Sequence, residues 1–316
     1  MADGKAQSSA EPELAQPAII AAVPGGSAPS REEVLLIGSA GNLVSIVTHP
    51  AAPRGGAPAV VFLNAGVIHR VGPHRLHVTL ARDLAAKGYA AVRVDLSGIG
   101  DSRPLSGDLA FRERAVADTR ATMDEATALG AARRFVLFGL CSGADNALAT
   151  ALADDRVAGV VLVDPYTYST VGSKARRVIS VVRSLGGPRH IAAWGFGIAE
   201  RRVRARVAAL RAHASSRGRA RRDEPARQNG REVPPRDVFG AQLAAIERRG
   251  VKILAIYSGT HGERYNHPDQ VFDVFPHLRG KIERQYFPDV NHTFTELAAQ
   301  RRIRATVTDW VSRHFS

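Results

Sequence analysis

The residues of this chain best suited to chemistry surround its single cysteine. Cys141 is the central residue of Gly139-Leu140-Cys141-Ser142-Gly143, a Gly-x-Cys-x-Gly pattern typical of a nucleophile elbow with cysteine in place of serine. The positions two residues before and after the centre of this tight turn must be small, because their side chains would collide. Glycines occupy both positions around Cys141, whereas a turn centred on Ser142 would put Leu140 at one of them. We therefore predict that Cys141, and not Ser142, is the nucleophile.

The sequence on either side of this motif predicts the elements that position it. Residues 134–138 form a short apolar run typical of a buried strand, and residues 146–153 are rich in alanine and leucine, which favour a helix. A strand, the turn and a helix thus follow one another in the order that an elbow requires. A free cysteine is more commonly a small buried hydrophobic residue, and this alternative competes with the nucleophile. The two glycines and the flanking elements favour the nucleophile.

Length, cysteine content and hydropathy limit the class of protein. A chain of 316 residues is long enough to bury a substantial core. One cysteine excludes an internal disulfide and a cysteine-based zinc site, and it suits a reducing compartment. No apolar stretch approaches the ~20 residues that span a bilayer, and the N-terminus lacks the pattern of a signal peptide. We expect a cytoplasmic protein with a disordered tail over residues 1–30, which are rich in Ala, Pro, Gly and Ser.

The positive charge is concentrated in one part of the chain. Residues 171–250 contain 19 Lys and Arg against 6 Asp and Glu, a difference of 13 that equals the net charge of the whole chain. Such a basic stretch could bind nucleic acid or an anionic membrane, or it could attract acyl substrates carried on a phosphorylated cofactor or carrier protein. The arginine-rich run at residues 217–222 has no aromatic residues for base stacking, which disfavours nucleic acid. A solvated, arginine-rich loop is the favoured interpretation.

Strand-like and helix-like segments alternate along most of the chain. This pattern predicts an α/β fold with a mostly parallel central sheet flanked by helices. Only residues 166–249 break the alternation, with helical pieces at residues 175–185, 198–212 and 238–248 separated by polar loops. We predict a core formed by residues 31–165 and 250–316, and an inserted arginine-rich helical cap or lid formed by residues 166–249.

Four motifs carry a resemblance to a known family. They are Phe62-Leu63-Asn64-Ala65-Gly66, the run from Arg93 to Ser102 (Arg-Val-Asp-Leu-Ser-Gly-Ile-Gly-Asp-Ser), the cysteine motif, and the run from Phe287 to Phe294 (Phe-Pro-Asp-Val-Asn-His-Thr-Phe). In this order and spacing they resemble the α/β-hydrolase fold superfamily, close to its serine-aminopeptidase-like and exosortase-associated hydrolase branch. The resemblance covers the predicted core and leaves the tail and the cap outside. It implies the α/β-hydrolase fold more strongly than any one substrate.

The resemblance also implies a base and an oxyanion hole. His292 follows a predicted strand near the C-terminus, where this fold places its histidine, and an imidazole can accept the thiol proton and return it to the leaving group. The oxyanion hole needs two backbone N–H groups. Ser142 supplies the first in this alignment, and Gly66 supplies the second, with its neighbour Val67 as the alternative. His69, which lies nearby in sequence, could line the pocket entrance.

The acid behind His292 is left open by the sequence. The family commonly has an aspartate shortly after the strand that ends at Tyr257, and this chain has His261 near that position. Glu263 could orient His292 if the loop is slightly longer, and Asp164 is the second candidate because some family members take their acid from the preceding strand. The chain could also lack an acid, which would leave the histidine tautomer unfixed and the rate low.

These residues together predict acyl chemistry. We predict a hydrolase of the esterase or thioesterase type, or an acyltransferase, acting on a small-molecule ester or thioester through an acyl-enzyme on Cys141. No metal, nucleotide or flavin motif is present, so no cofactor is predicted. A non-catalytic accessory or binding protein that retains the fold is the alternative. Asp95 and Asp101 are predicted to have structural roles, and Asp145 is predicted to make a polar contact only.

Overall fold

A nine-stranded sheet runs through this computed structural model, which describes residues 19–20, 31–38, 41–105, 107–184, 227–228, 231–259 and 265–316. The strands along the chain are β1 (Ile19–Ile20), β2 (Arg31–Ile37), β3 (Leu43–His49), β4 (Ala59–Leu63), β5 (Ala91–Val94), β6 (Phe135–Leu140), β7 (Val157–Val163), β8 (Arg227–Gln228), β9 (Arg231–Glu232), β10 (Lys252–Ser258) and β11 (Glu283–Phe287). Their order in the large sheet is β1-β2-β3-β5-β4-β6-β7-β10-β11, and β8 and β9 form a separate antiparallel pair.

The sheet is antiparallel at one edge and parallel elsewhere. β1, β2, β3 and β5 pair antiparallel in succession, and every pair from β5 to β11 is parallel. Because parallel strands point the same way, the carboxyl ends of β4, β6, β7 and β10 meet at one edge of the sheet. Loops after the strands at this edge are where α/β sheets place their ligands.

Helices cover both faces of the sheet. They are α1 (Leu76–Ala86), α2 (Phe111–Ala128), α3 (Ser142–Ala153), α4 (Val171–Ser184), α5 (Arg236–Arg248), α6 (Gln270–Val274) and α7 (Leu297–His314), with short 3-10 helices at Pro73–Arg75 and Pro276–Leu278. Apolar residues of α2, α3 and α5 join the core on one face of the sheet. Those of α1 and α7 join the core on the other face.

The central strands are buried on both sides. Every residue of β4 and β6 is buried, and β7 exposes only Ala158 in part. Runs of Val, Leu and Phe without polar alternation are what a doubly covered parallel strand requires. The predicted mostly parallel sheet flanked by helices is therefore confirmed. At its antiparallel edge, β2 and β3 pair from Arg31 to Ile37.

The start of α1 is set by the backbone before it. His74 and Arg75 have left-handed φ values of 49° and 64°, which interrupt the helical backbone, so the regular helix begins only at Leu76.

Two of the helical pieces predicted within the cap correspond to α4 and α5, and the piece at residues 198–212 lies outside the described residues, as does most of the predicted tail. Among the helices that the structure describes, none combines the length and apolarity needed to cross a membrane.

Candidate active site

Cys141 lies at the turn between β6 and α3 in a backbone conformation that few non-glycine residues adopt. Its φ is 60° and its ψ is −118°. The flanking glycines make this turn possible: a Cβ atom on Gly139 would lie 2.1 Å from the carbonyl of Gly143, and one on Gly143 would lie 2.7 Å from the carbonyl oxygen of Asn64. The backbone around Cys141 thus has the close approach that the spacing of the glycines predicts.

His292 lies on the loop between β11 and α7 and interacts with both Asp164 and Cys141. Its Nδ1 is 2.6 Å from Oδ2 of Asp164, and its interaction with the thiol of Cys141 shifts the pKa of both groups. With Nδ1 facing the carboxylate, Nε2 is the ring nitrogen left for the sulfur. The side chain of His292 is 20% exposed, so the ring is partly accessible from solvent.

Asp164 follows the last residue of β7 and is completely buried. Its Oδ1 accepts a hydrogen bond from the backbone N–H of Ser258 at 2.7 Å, and its Oδ2 accepts one from the Ser258 hydroxyl at 2.7 Å in addition to the contact with His292. The carboxylate is therefore held on the neighbouring strand β10 while it faces the imidazole. Of the two acids that the sequence leaves open, Glu263 lies outside the described residues.

Cys141 and His292 have shifted pKa values. Burial alone would raise the pKa of Cys141, but the hydrogen bond with His292 and the positive charge of Arg231 outweigh it and hold the pKa of the thiol below its ordinary value. Burial alone would lower the pKa of His292, but the hydrogen bonds with Asp164 and Cys141 raise that pKa to about 9. Both changes favour a thiolate–imidazolium pair, which is the reactive form of a cysteine.

Two of the predicted oxyanion donors lie at Ser142, the residue that follows Cys141. The N–H of Gly66 donates to the Ser142 hydroxyl oxygen at 2.8 Å, and the N–H of Ser142 helps to lower the pKa of the Cys141 thiol. The structure therefore links the loop of Gly66 to Ser142, next to Cys141 in the chain. Val67, the alternative donor, is 88% exposed. Among the described residues, its backbone N–H has no hydrogen-bond partner in a turn or loop.

Asn64 fixes the loop that carries Gly66. Its amide nitrogen donates to Oδ1 of Asp95 at 2.9 Å and to the carbonyl of Ile68 at 2.9 Å, and its Oδ1 accepts from the N–H of Leu96 at 2.8 Å. These bonds join the ends of the adjacent strands β4 and β5. The structural role predicted for Asp95 is consistent with this position, because its buried carboxylate ties together two loops.

One further cluster has the residue types of a metal site. His69, Asp95 and Asp101 bring their ligand atoms within 4.8 Å of one another. Nη1 of Arg70 donates to Asp95 at 2.5 Å and to Asp101 at 2.8 Å, so a guanidinium already provides the positive charge among these carboxylates. The side chain of His69 joins this ionic network through Asp101, at 2.9 Å.

Sequence reasoning did not select two residues that contact the site. Ser258 is the last residue of β10. Its contact with Asp164 could have been predicted, because β7 and β10, the strands before and after residues 166–249, were expected to lie side by side in the sheet. Arg231 is one of many arginines in the basic stretch and carries no distinguishing signal in the sequence. Asp145, expected to make only a polar contact, forms a buried ion pair with Arg231 at 2.8 Å.

Comparisons with known proteins agree with this fold. Residues 57–225 match the Hydrolase_4 family, described as serine aminopeptidase, S33. Among curated proteins, none matches the chain.

Several solved structures share the fold at low sequence identity. A puromycin-hydrolyzing peptidase from Mycobacterium tuberculosis matches with a TM-score of 0.54 and 17% identity, covering 94% of this chain and 41% of that one. An α/β serine hydrolase without a lid from Xanthomonas campestris matches with a TM-score of 0.51 and 16% identity, covering 92% and 98% of the two chains. An α/β serine hydrolase homologue from Coxiella burnetii matches with a TM-score of 0.51 and 13% identity, covering 93% and 100%.

The family match extends over more than half of the 316 residues and includes both Cys141 and Asp164. The three structures share the fold, and each is of a hydrolase or of a homologue of one. The predicted α/β-hydrolase fold is thereby confirmed, and the chain belongs to the Hydrolase_4 (serine aminopeptidase, S33) family of α/β-hydrolase enzymes.

Proposed function

We propose that the protein hydrolyses or transfers the acyl group of an ester or thioester through an acyl-enzyme on Cys141. The observation that carries this proposal is the contact of Cys141, in its strained turn, with His292, whose other ring nitrogen is held 2.6 Å from Asp164. Nucleophile, histidine and carboxylate in this arrangement have the geometry of a catalytic triad. The four motifs further favour the exosortase-associated branch of the family.

Acylation begins with attack of the Cys141 sulfur on the carbonyl carbon of the substrate. His292 holds the proton that leaves the thiol, and Asp164 stabilises the imidazolium and fixes its orientation. The new sulfur–carbon bond converts the carbonyl oxygen into an oxyanion, for which the N–H groups of Ser142 and Gly66 are the proposed donors. Because the N–H of Gly66 donates to the Ser142 hydroxyl at rest, the substrate oxygen has to displace that hydroxyl.

Collapse of the tetrahedral intermediate breaks the bond to the leaving group, which takes the proton from His292. The product is a thioester between the acyl group and Cys141. In the second half-reaction, water or an acceptor hydroxyl, thiol or amine gives its proton to His292 and attacks the thioester carbonyl. The Cys141 thiolate then leaves, and the free acid or the transferred acyl product is released.

Turnover of model substrates tests this proposal. Wild-type protein, Cys141→Ala and His292→Ala are assayed with p-nitrophenyl acetate and with an acetyl thioester, in buffer alone and with an added alcohol or thiol acceptor. We expect turnover by the wild type only, and the ratio of free acid to transferred product separates hydrolysis from transfer. If Cys141→Ala turned over substrate as fast as the wild type, Cys141 would not be the nucleophile.

The alternative of a non-catalytic binding protein predicts a different result. In that case no ester or thioester turns over above the Cys141→Ala background, although the protein is folded. Iodoacetamide gives an independent reading, because Cys141 is the only thiol in the chain and all alkylation reports on it. A thiol no more reactive than free cysteine at pH 7 would support the binding protein.

A further inference from the structure

Arg231 connects the inserted segment to the backbone of the active site. It lies in β9, near the C-terminal end of the predicted cap, and its side chain is only 9% exposed. Its Nη1 donates to the carbonyl oxygen of Cys141 at 2.7 Å, and its Nη2 donates to the carbonyl oxygen of Asp164 at 3.2 Å. One guanidinium thus contacts the main chain at both the proposed nucleophile and the proposed acid.

Both of these backbone positions are strained. Cys141 has a φ of 60° and Asp164 a φ of 47°, in the region that non-glycine residues rarely occupy. Each such residue costs on the order of 1–3 kcal/mol and persists only when its surroundings fix it. The planar guanidinium, with several donors in a fixed geometry, is suited to holding two carbonyl groups at one separation.

The charge of Arg231 is itself held in place. Both carboxylate oxygens of Asp145, on the first turn of α3, accept from Nη1 at 2.8 and 2.9 Å. The guanidinium also lies over the ring of Tyr166, with 4.8 Å between its central carbon and the ring centroid. Asp145 is nearly buried, and burial raises its pKa while the charge of Arg231 opposes that rise.

The charged groups around the thiol therefore act in opposite directions. Arg231 and protonated His292 lower the pKa of Cys141. Asp145 offsets part of the positive charge of Arg231, and Arg112 also acts on Asp145 from α2. The carboxylate of Asp164 faces His292, at 2.6 Å from Nδ1.

We propose that Arg231 is a positioning residue, contributed by the inserted segment, which fixes the backbones of Cys141 and Asp164 and places one positive charge beside the thiol. The inference rests on the proposed function, since it assigns a role through Cys141 and Asp164. It gives the inserted segment an indirect part in catalysis, because a change in the position of β9 would alter the geometry and the charge at the nucleophile. Arg231 itself does not contact the substrate in this account.

The rate of iodoacetamide alkylation of Cys141 as a function of pH tests the charge without any substrate. We expect the midpoint of this profile to move to higher pH in Arg231→Gln and to lower pH in Asp145→Asn, because the second variant leaves the arginine charge uncompensated. Arg231→Lys, which keeps the charge, is expected to lie near the wild type. Midpoints that do not move in either variant would overturn the electrostatic part of the inference.

Steady-state kinetics test the positioning. Loss of a charge-assisted hydrogen bond to the backbone is expected to lower kcat by about 10- to 100-fold in Arg231→Gln with little change in KM. Arg231→Lys is expected to recover only part of kcat, because an ammonium cannot span both carbonyls. Equal kcat in Arg231→Gln and the wild type would overturn the positioning role.

Two further variants guard against loss of folding as the explanation. The double variant Arg231→Gln/Asp145→Asn leaves no unpaired buried charge and is expected to fold while keeping the low kcat. Arg249→Gln is the matched control, because Arg249 likewise donates to α3 carbonyls, at Ala151 (2.6 Å) and Leu152 (3.4 Å), at the far end of the helix from Cys141. A fall in kcat as large in Arg249→Gln as in Arg231→Gln would show a general effect of stability and overturn the inference.

If no variant turns over any ester, the proposed function fails, but the alkylation profiles still report whether Arg231 sets the charge at Cys141. The two failures are therefore distinguishable.

Discussion

Replacing Asp164 with asparagine is expected to disable the site while changing its shape very little. Oδ1 of Asp164 accepts from the N–H of Ser258, so the amide oxygen of an asparagine takes that place and its NH2 group takes the place of Oδ2. That NH2 group then faces Nδ1 of His292 and the Ser258 hydroxyl. A donor in this position requires Nδ1 to be unprotonated, which puts the proton on Nε2, the nitrogen that has to accept it from Cys141.

The size of the effect follows from the pKa of His292. Its rise from the ordinary 6.5 to about 9 corresponds to roughly 3 kcal/mol in favour of the imidazolium, at 1.36 kcal/mol per pH unit, and Asp164 and Cys141 share this stabilisation. Asp164→Asn is expected to return the pKa of His292 toward 6.5. With the wrong tautomer at rest, we expect kcat to fall by roughly 10³- to 10⁴-fold.

Two measurements follow this variant. The ¹⁵N chemical shifts of the His292 ring, recorded against pH, should titrate near pH 9 in the wild type and at a lower pH in Asp164→Asn, with the Nε2–H tautomer above the midpoint of the variant. The alkaline limb of the pH profile of kcat/KM should likewise shift to lower pH in Asp164→Asn. Glu263→Gln, the other acid candidate from the sequence, is the matched control and should retain wild-type turnover. Full activity in Asp164→Asn together with a loss in Glu263→Gln would refute the assignment of the acid.

Three other perturbations have defined outcomes. Gly139→Ala should abolish the elbow, because its Cβ would lie 2.1 Å from the carbonyl of Gly143; we expect loss of turnover and a Cys141 alkylation rate no higher than that of free cysteine, and a folded, active variant would contradict this packing. Ser142→Ala should raise kcat/KM about 2- to 10-fold by freeing the N–H of Gly66 from an intramolecular hydrogen bond, whereas a fall would show that the hydroxyl is itself an oxyanion donor. His77 is fully buried between aromatic rings, and burial lowers its pKa from 6.5 to about 4. The unfolded state therefore gains a proton first, and the free energy of unfolding should fall by about 3 kcal/mol as the pH drops from 6.5 to 4. His77→Leu should remove this loss in urea melts, and an unchanged dependence of stability on acid pH would contradict it.

The sequence predicted the parts of the site that local geometry determines. A Gly-x-Cys-x-Gly turn can be recognised because the backbone atoms of Gly139 and Gly143 are in contact, and that contact excludes any side chain. The position of His292 was implied by the family resemblance, in which the histidine lies on the loop between the last strand and the last helix. The apolar runs of β4, β6 and β7 indicated a parallel sheet, because a strand covered on both faces has no alternation of polar and apolar residues.

Contacts between distant segments were less accessible. The acid stayed open because Asp164 and Glu263 are both near strand ends, and only the three-dimensional path of the loops decides which carboxylate faces His292. Arg231 could not be distinguished from the other arginines of residues 171–250, because its role depends on where β9 lies against α3. A buried ion pair across 86 residues leaves no periodic pattern in the chain.

The mass of the protein during turnover tests the central claim most directly. Wild-type protein is mixed with excess p-nitrophenyl acetate or an acetyl thioester, quenched in acid within the first turnover, and measured intact and after proteolysis. The account predicts a population carrying one acetyl group, located on Cys141 and absent in Cys141→Ala. Turnover without this adduct, or with the acyl group on Ser142 or another residue, would contradict the proposed acyl-enzyme.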